Sequence, residues 1–319
     1  MTQLQQNPAP VVDGKPPKVG AQRTLGLFKN PMLLVLAVQL IVTSFIYPSF
    51  WSLVNLQNLL TQNSPLAVAA VGMTLVMIAG GFDLSVGAIF GAGAVFYVSM
   101  DGRLPVVVAV LAAIVLGMAI GLFNGLVVNA LGVNPFVATL GSASVITGLV
   151  SLYYSNSSVK YTSHESFRTL GTGKFGEIPV SSAVAAVVVV IAGLILAKTT
   201  YGRSIYAIGG NVQAARLTGL RVGLVSASTF VLIGGLAALG GLIQASQVGT
   251  AEPGFGSSLT LDAIAVVIIG GTSLLGGEGA VWRTVVGIAI LAIINNVFAA
   301  LTLDPNLQSV IKGAIVRIN

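Results

Sequence analysis

The chain has 319 residues, of which 55% are hydrophobic and only 8% are charged, and its formal net charge is +6. Soluble domains carry about 25% charged residues, so this composition excludes a water-exposed surface over most of the chain and predicts an all-α integral membrane protein in contact with the lipid bilayer. Because cysteine is absent and His164 is the single histidine, we expect no disulfide, no metal site, no catalytic residue and no cofactor.

Residues 1–30 are polar and contain prolines and basic residues, and we predict that they form a disordered cytoplasmic tail. The apolar stretch 32–50 is close to the roughly 20 residues of a retained membrane span and is too long for the core of a cleaved signal. The excess of Lys and Arg is attributed to topology signals beside the spans, so no nucleic-acid partner is expected. Residues 31–319 are predicted to form one transmembrane domain.

About ten membrane segments follow from the apolar runs, each near the length that a bilayer requires. Glycine-rich breaks separate the second segment from the third and the eighth from the ninth, which predicts Gly-broken or re-entrant helices there. The stretches around these breaks, 73–95 and 263–285, are similar, which indicates a duplicated scaffold beside a central pathway. The predicted segments are 32–50, 64–80, 84–100, 105–129, 135–154, 180–197, 223–246, 259–276, 282–302 and 307–319.

Basic residues orient these segments. The N-terminal tail and the loop 198–223 are rich in Lys and Arg, so both are predicted to face the cytoplasm. Six predicted spans separate them, and an even number is consistent with this orientation. The loop 155–179 has a mixture of charges and is predicted to lie outside.

The first break has the sequence GGFDLSVG, residues 80–87. Gly80 and Gly81 supply the backbone freedom that a break between helices requires. Asp83 and Ser85 allow two interpretations: they cap the N-terminus of the following helix, or they line a polar pathway or gate. The two are compatible, because one residue can serve both purposes.

Polar side chains within the predicted spans are a further group of candidates. Amide and hydroxyl groups in a water-filled cleft can exchange hydrogen bonds with the hydroxyls of a solute such as a sugar. The alternative is helix–helix hydrogen bonding, worth about 0.6 kcal/mol each on average. The candidates for a translocation pathway are Asn124, Thr139 and Asn295.

The predicted cytoplasmic loop contains the sequence YAIGGNVQAARLTGLRVG, residues 206–223. Asn211 is a candidate N-cap and Gly219 a candidate C-cap, so a short helix is predicted between them. This helix either docks on a partner or forms an interfacial turn that Arg216 and Arg221 hold against lipid phosphates.

The chain carries no recognisable energy source of its own. A Walker A sequence is absent, because the Gly-Lys pairs at 14–15 and 173–174 lack a following Ser or Thr. Ionisable groups within the spans are few, and the clearest are Asp83 and Asp262. Energy from a partner is therefore expected. The alternative is an ion-coupled secondary carrier with Asp83 as its ion site.

Four ordered segments resemble the ribose/xylose/arabinose-type permeases of ATP-binding-cassette (ABC) transporters. They are AVGMTLVMIAGGFDLSVGA, NPFVATLGS, YGRSIYAIGGNVQAARLTGL and LDAIAVVIIGGTSLLGGEGAV. The resemblance extends from about residue 32 to the C-terminus and implies a transmembrane permease domain over 31–319. It also implies a multi-pass protein of the bacterial inner membrane that imports a simple sugar, a pentose or a hexose. The alternative substrates are a nucleoside or a branched-chain amino acid.

The resemblance implies three protein partners: a cytoplasmic ABC ATPase, a periplasmic or lipid-anchored sugar-binding protein, and a second permease copy or related chain. It places the ATPase-coupling segment at about 199–223. The residues that would carry this coupling are Gly209, Gly210, Asn211, Ala214, Ala215, Arg216 and Gly219.

The chain also departs from the pattern of these permeases. The family tends to have an acidic residue near Gln213, and a small residue where Arg283 stands here. The apolar run 307–319 stops after about half a span, so we expect this last helix to be unstable.

Overall fold

The structure, a computed structural model, describes residues 31–156 and 161–302. The predicted cytoplasmic tail and the predicted segment 307–319 lie outside these ranges. A short 3₁₀ turn, Pro48–Trp51, follows the first helix, and strands β1 (Lys174–Phe175) and β2 (Ile178–Pro179) form a small antiparallel hairpin. The helices are α1 (Pro31–Ile46), α2 (Leu53–Ile78), α3 (Val86–Ser99), α4 (Val106–Asn129), α5 (Pro135–Ser155), α6 (Glu165–Thr172), α7 (Val180–Lys198), α8 (Thr200–Gly210), α9 (Val212–Leu217), α10 (Val222–Val248), α11 (Leu259–Ile269) and α12 (Val281–Ala300).

The prediction of an all-α membrane protein is confirmed, but the count of ten spans is not. Within the described residues, six helices are long and apolar enough to cross a membrane, namely α2, α4, α5, α7, α10 and α12. The apolar helices α1, α3 and α11 are shorter. At 1.5 Å per residue, α3 is about 21 Å long and α11 about 17 Å, so neither crosses a core about 30 Å thick.

Helix α2 begins at Leu53, eleven residues before the predicted segment 64–80. Pro65 lies inside it and, lacking an N–H group, leaves the carbonyl oxygen of Thr61 without its helical donor. The side-chain amide of Gln247 donates to that oxygen at 2.8 Å. The helix therefore continues through the proline, because a neighbouring helix supplies the missing hydrogen bond.

Helix α10 lies at the centre of the bundle and packs on α2, α3 and α4. The closest approach is to α4, where Gly117, Gly121 and Gly125 recur every four residues on one face. A Cβ atom at Gly121 would collide with the carbonyl oxygen of Phe230. This glycine stripe lets the two helix backbones touch, a contact that replaces the hydrophobic driving force missing between helices in lipid.

The loops at the predicted outer end hold the bundle together through Asp101, whose side chain is almost entirely buried. Its carboxylate accepts hydrogen bonds from the backbone N–H groups of Ser163 and His164 and contacts the His164 ring nitrogen Nδ1 at 2.6 Å. Burial opposes ionisation of Asp101, but these hydrogen bonds outweigh it and hold the pKa of the carboxyl below its ordinary value. The outer loop 155–179 is thereby joined to the end of α3.

Candidate functional site

The break between α2 and α3 is closed by a buried polar cluster. Oδ1 of Asp83 accepts hydrogen bonds from the backbone N–H of Ser85 at 2.8 Å and from its hydroxyl at 2.6 Å. The Asn124 amide on α4 donates to the same hydroxyl oxygen at 2.8 Å. Thr139 on α5 accepts from the backbone N–H of Leu84 at 3.0 Å. The cluster therefore joins the start of α3 to two other helices.

This geometry corrects the capping interpretation in one respect. Ser85 is the N-cap residue of α3, but its side chain makes no capping hydrogen bond. Its hydroxyl donates instead to the carboxylate of Asp83. The same carboxylate accepts from the backbone N–H of Ser85, two residues further along the chain, and so forms an Asx turn. The carboxylate consequently fixes where α3 begins without accepting from the first turn of the helix.

Four of the predicted pathway residues are thus brought together, and each of them is fully buried in the isolated chain: Asp83, Ser85, Asn124 and Thr139. Oδ2 of Asp83 and Oδ1 of Asn124 have no hydrogen-bond partner among the described residues. Asn295 lies elsewhere, on α12, and its Oδ1 also has no partner within the described part of the chain. The neighbouring Asn296 pairs with Asn55 of α2, as the helix–helix alternative predicts for intramembrane amides.

Of the remaining predicted residues of the break, Gly80 takes part in a junction of glycines at the predicted cytoplasmic end, whereas Gly81 packs against Val76 and Phe230. Gly80 has a left-handed backbone, with φ of +78°. A Cβ atom at Gly276 would lie 2.8 Å from the Cα atom of Gly80, and one at Gly209 would collide with the carbonyl oxygen of Ile78. The glycine junction, defined as Gly80, Gly209, Gly276 and Gly277, therefore brings both predicted breaks and the end of α8 into backbone contact.

Two helices occupy the predicted coupling segment. The predicted short helix is α9, and its caps are confirmed: the Asn211 side chain accepts from the backbone N–H of Ala214 at 2.9 Å. At the other end Gly219 has φ of +82°, and the N–H groups of Gly219 and Leu220 donate to the carbonyls of Arg216 and Ala215. This pair of bonds is a Schellman motif, which only a residue without a Cβ enters without strain.

Helix α8 was missed from the sequence, although Thr199 carried a usable signal. The Thr199 side chain accepts from the backbone N–H of Gly202 at 3.1 Å and caps the helix. Along α8, Ile205 and Ile208 are buried. The hydroxyl of Tyr206 donates to the carbonyl oxygen of Gly279 at 2.8 Å. These contacts anchor α8 to the bundle and leave α9 projecting from it.

The exposed surface of α9 combines apolar and basic side chains. Leu217 is 90% exposed, Arg216 is exposed, and only Ala215 of this helix is buried, against Ile208 and Val222. Val212 of the same helix is exposed as well, so α9 presents two apolar side chains and one basic side chain to its surroundings. Of the predicted coupling residues, Gly209 is inside the glycine junction, whereas Gly210, Asn211, Ala214, Arg216 and Gly219 face outward.

Six long apolar helices, one short helix that starts at a glycine break, one that ends at a glycine break, and a capped helix beyond the bundle define a multi-pass membrane protein. The family described as "Branched-chain amino acid transport system / permease component" matches residues 55–318, and the chain belongs to this family. The resemblance to ABC permeases of the sugar type is confirmed by relatives of almost the same length. The protein is accordingly a multi-pass transport permease of the bacterial inner membrane.

Three curated relatives show the degree of similarity. The ribose import permease protein of Haemophilus influenzae is 35% identical over 92% of this chain and 92% of its own length. The ribose import permease protein of Bacillus subtilis is 37% identical over 94% of this chain and 92% of its own. The galactose/methyl galactoside import permease protein of Escherichia coli strain K12 is 35% identical over 91% of this chain and 92% of its own length. No solved structure matches the chain.

Proposed function

We propose that this chain is the membrane-spanning subunit of an ATP-driven importer that carries a simple sugar, a pentose or a hexose, into the cell. The similarity to ribose and galactose import permeases over nine-tenths of the chain supports this substrate class. A periplasmic or lipid-anchored binding protein delivers the sugar to the outer face. ATP hydrolysis takes place on a separate cytoplasmic ATPase.

The single observation that carries the coupling role is the construction of the segment 199–223. Helix α9 is capped at both ends by Asn211 and Gly219 and presents Leu217 and Arg216 to the surroundings. Helix α8, which precedes it, ends in the glycine junction. A partner that grips α9 therefore holds a rigid extension of the bundle rather than a flexible loop.

The glycine junction supplies the path from this docking surface to the membrane interior. Gly209 contacts the carbonyl oxygen of Ile78, and three residues beyond Gly80 the chain reaches the buried carboxylate of Asp83. Since no side chain intervenes at the junction, a displacement of α8 moves the break between α2 and α3. In this mechanism ATP binding closes the ATPases, the movement passes through α9 and α8, and the helices alternate between inward-open and outward-open arrangements.

A second permease copy, or a related chain, completes the pathway. Helix α5 leaves most of its surface uncovered within the chain, and it carries serines and threonines as well as apolar residues. A Cβ atom at Gly141 or Gly148 of this helix would meet nothing within 4 Å among the described residues. An uncovered helix with small and hydroxyl-bearing residues is suited to packing against another membrane helix around a wet pathway.

Uptake measurements test this function. Cells that lack the chain and cells in which it is restored are compared for uptake of labelled ribose, galactose and leucine. We expect restored uptake of a sugar that stops when ATP is depleted and persists when ion gradients are dissipated. Uptake that follows an ion gradient and ignores ATP would support the ion-coupled alternative.

A branched-chain amino acid is the second candidate substrate, because the description of the family names it. The measurement with leucine separates the two. Restored uptake of leucine without uptake of either sugar would assign the amino acid to this chain and overturn the sugar proposal.

A further inference from the structure

Helices α3 and α11 begin beside one another and end on opposite sides of the bundle. At their shared starting point, the backbone N–H of Gly87 donates to the hydroxyl oxygen of Thr260 at 3.1 Å. Helix α3 ends at the outer loops, where Asp101 binds Ser163. Helix α11 ends at the loop that enters the glycine junction. The two starting points therefore lie between the two surfaces of the bundle, at the depth of the membrane interior.

The chain reaches this depth from the outer side through the segment 249–258, which follows α10. Residues of this segment run along α3 in close backbone contact: a Cβ atom at Gly91 would lie 3.1 Å from the carbonyl oxygen of Pro253. One at Gly87 would collide with the carbonyl oxygen of Gly256. Non-helical backbone at membrane depth is tolerated where it is buried in protein or lines a water-filled cavity.

A cavity of about 210 Å³ lies at this point, between the starts of α3 and α11, the segment 249–258 and the middle of α5. This volume is well above what a single water molecule needs, so the cavity has room for a small polar solute. Side chains and backbone of four elements line it: Leu84, Gly87, Thr147, Gly254, Ser257 and Thr260. None of these residues is charged.

Hydroxyl groups converge on this cavity from three of the elements. Thr147 on α5 and Ser257 before α11 make no side-chain hydrogen bond within the described residues, and both are exposed to the cavity side in the isolated chain. Thr260 accepts from Gly87 and keeps its own proton free to donate. Neutral hydroxyls that both donate and accept are the groups that pair with the hydroxyls of a sugar.

Thr147 differs from three neighbouring serines of α5. Ser144, Ser151 and Ser155 share its face, and each of them donates to the carbonyl oxygen four residues earlier in the helix. The hydroxyl of Thr147 makes no such bond within the described part of the chain. A larger cavity of about 640 Å³ between α4 and α5 is lined by apolar side chains such as Phe123 and Val137, and Ser142 alone among its lining residues carries a hydroxyl.

We propose that the cavity between the starts of α3 and α11 and the middle of α5 is a transient site for one monosaccharide, held by the hydroxyls of Thr147, Ser257 and Thr260. This inference rests on the proposed sugar import, and it names the residues that bind the sugar while it crosses the membrane interior. The buried cluster of Asp83, Ser85 and Asn124 does not touch the sugar. It positions Leu84 and the start of α3, which form one wall of the site.

Single cysteine substitutions test the site. The natural chain contains no cysteine, so a thiol reagent reacts only at the introduced residue. Thr147→Cys and Ser257→Cys are prepared in the assembled transporter, in membranes opened to both sides, and treated with a charged thiol reagent. Val187→Cys on α7 is the lipid-facing control, and Asn156→Cys at the exposed end of α5 is the water-facing control. We expect labelling at Thr147, Ser257 and Asn156 and none at Val187.

The second part of the test adds ribose or galactose before the reagent. We expect the transported sugar to slow labelling of Thr147→Cys about fivefold or more and to leave Asn156→Cys unchanged. Absence of labelling at Thr147 while Asn156 reacts would overturn the site. Labelling that neither sugar slows would also overturn it, because the cavity would then be open to water without binding sugar.

Uptake by hydroxyl-free variants provides the functional comparison. The double variant Thr147→Val with Ser257→Ala is expected to lower the ratio of maximal uptake to KM about tenfold, the change from losing two neutral hydrogen bonds. Ser144→Ala, whose hydroxyl is already bonded within α5, is the matched control and should transport normally. Unchanged uptake by the double variant overturns the site and leaves the proposed function intact, whereas absence of sugar uptake by the natural chain overturns the proposed function itself.

Discussion

The backbone N–H of Gly277 donates a hydrogen bond to the carbonyl oxygen of Ile78, with an N···O distance of 2.9 Å. This bond joins the end of α2 to the loop between α11 and α12, two parts of the chain separated by about two hundred residues. Gly209 of α8 packs on the same two residues. The predicted coupling segment is therefore in direct backbone contact with both breaks, and this contact leaves no room for a Cβ atom at Gly209.

The first prediction concerns that contact. Gly209→Ala places a methyl group against the carbonyl oxygen of Ile78 and the N atom of Gly277, so the junction must open. We expect a loss of about 1–3 kcal/mol in the free energy of unfolding, the usual effect of overpacking. The measurement is the apparent melting temperature of the purified protein in detergent. Gly210→Ala is the matched control, since a Cβ atom there meets nothing within 4 Å, and equal melting temperatures for the two variants would contradict the prediction.

The second prediction concerns the glycine stripe of α4. Gly121→Ala would push a methyl group into the carbonyl oxygen of Phe230 and separate α4 from α10. We expect this variant to be destabilised by about 1–3 kcal/mol and to be recovered from membranes in smaller amounts. Gly223→Ala, in the first turn of α10, meets nothing and is expected to gain up to about 1 kcal/mol from helix propensity. A neutral effect at Gly121 would show that α4 and α10 do not pack this closely.

The third prediction separates the geometry of Asp83 from its charge. Asp83→Ala removes the acceptor of two buried hydrogen bonds and leaves the backbone N–H and the hydroxyl proton of Ser85 without an acceptor, at a cost of about 1–3 kcal/mol. Asp83→Asn keeps an oxygen at that position. It should therefore retain the fold and most of the sugar uptake. A well-folded Asp83→Asn protein that has lost uptake would instead indicate that the negative charge itself is required, as in an ion-coupled carrier.

The fourth prediction is the pH dependence of the outer clasp formed by Asp101 and His164. The pKa of Asp101 lies below its ordinary value in the folded protein, because hydrogen bonds from Ser163 and His164 outweigh its burial. Such a carboxyl contributes stability fully above its unfolded pKa of about 4, and the contribution is lost as the pH falls through the lowered pKa. We expect the difference in melting temperature between the natural chain and Asp101→Asn to shrink below about pH 4.

The same comparison in a His164→Ala background isolates the backbone part of the clasp. The N–H groups of residues 163 and 164 still donate to the carboxylate after this substitution. The difference in melting temperature between the His164→Ala protein and its Asp101→Asn derivative should therefore still shrink below about pH 4. A difference that grows as the pH falls would reverse the sign and contradict the account of Asp101.

Local sequence signals predicted the elements that depend on neighbouring residues. The caps of α9 were visible as Asn211 and Gly219, because each acts on N–H or carbonyl groups a few residues away. The break at Gly80 was visible for the same reason. Membrane helices were predicted from apolar runs, since lipid demands a nearly continuous stretch of about 20 such residues.

Contacts between distant residues were not visible in the sequence. The early start of α2 was missed because Asn55 and Gln57 interrupt the apolar run, yet the structure pairs them with Asn296 and Glu177. The meeting of Gly80, Gly209 and Gly276 is likewise a property of the packed bundle. A glycine pair in the sequence indicates a break or a close approach, but it does not reveal which backbone comes near.

Helix α9 offers the sharpest test of the account as a whole. The tagged chain is extracted from its native membranes in a mild detergent, and co-purifying proteins are identified by mass spectrometry. Leu217→Asp is compared with Leu131→Asp, which alters a leucine 73% exposed in the turn between α4 and α5 on the same side of the bundle. We predict that a soluble ATPase accompanies the natural chain and Leu131→Asp and is lost from Leu217→Asp. Equal recovery of the ATPase with both variants, or its absence from the natural chain, would contradict the coupling of this permease through α9.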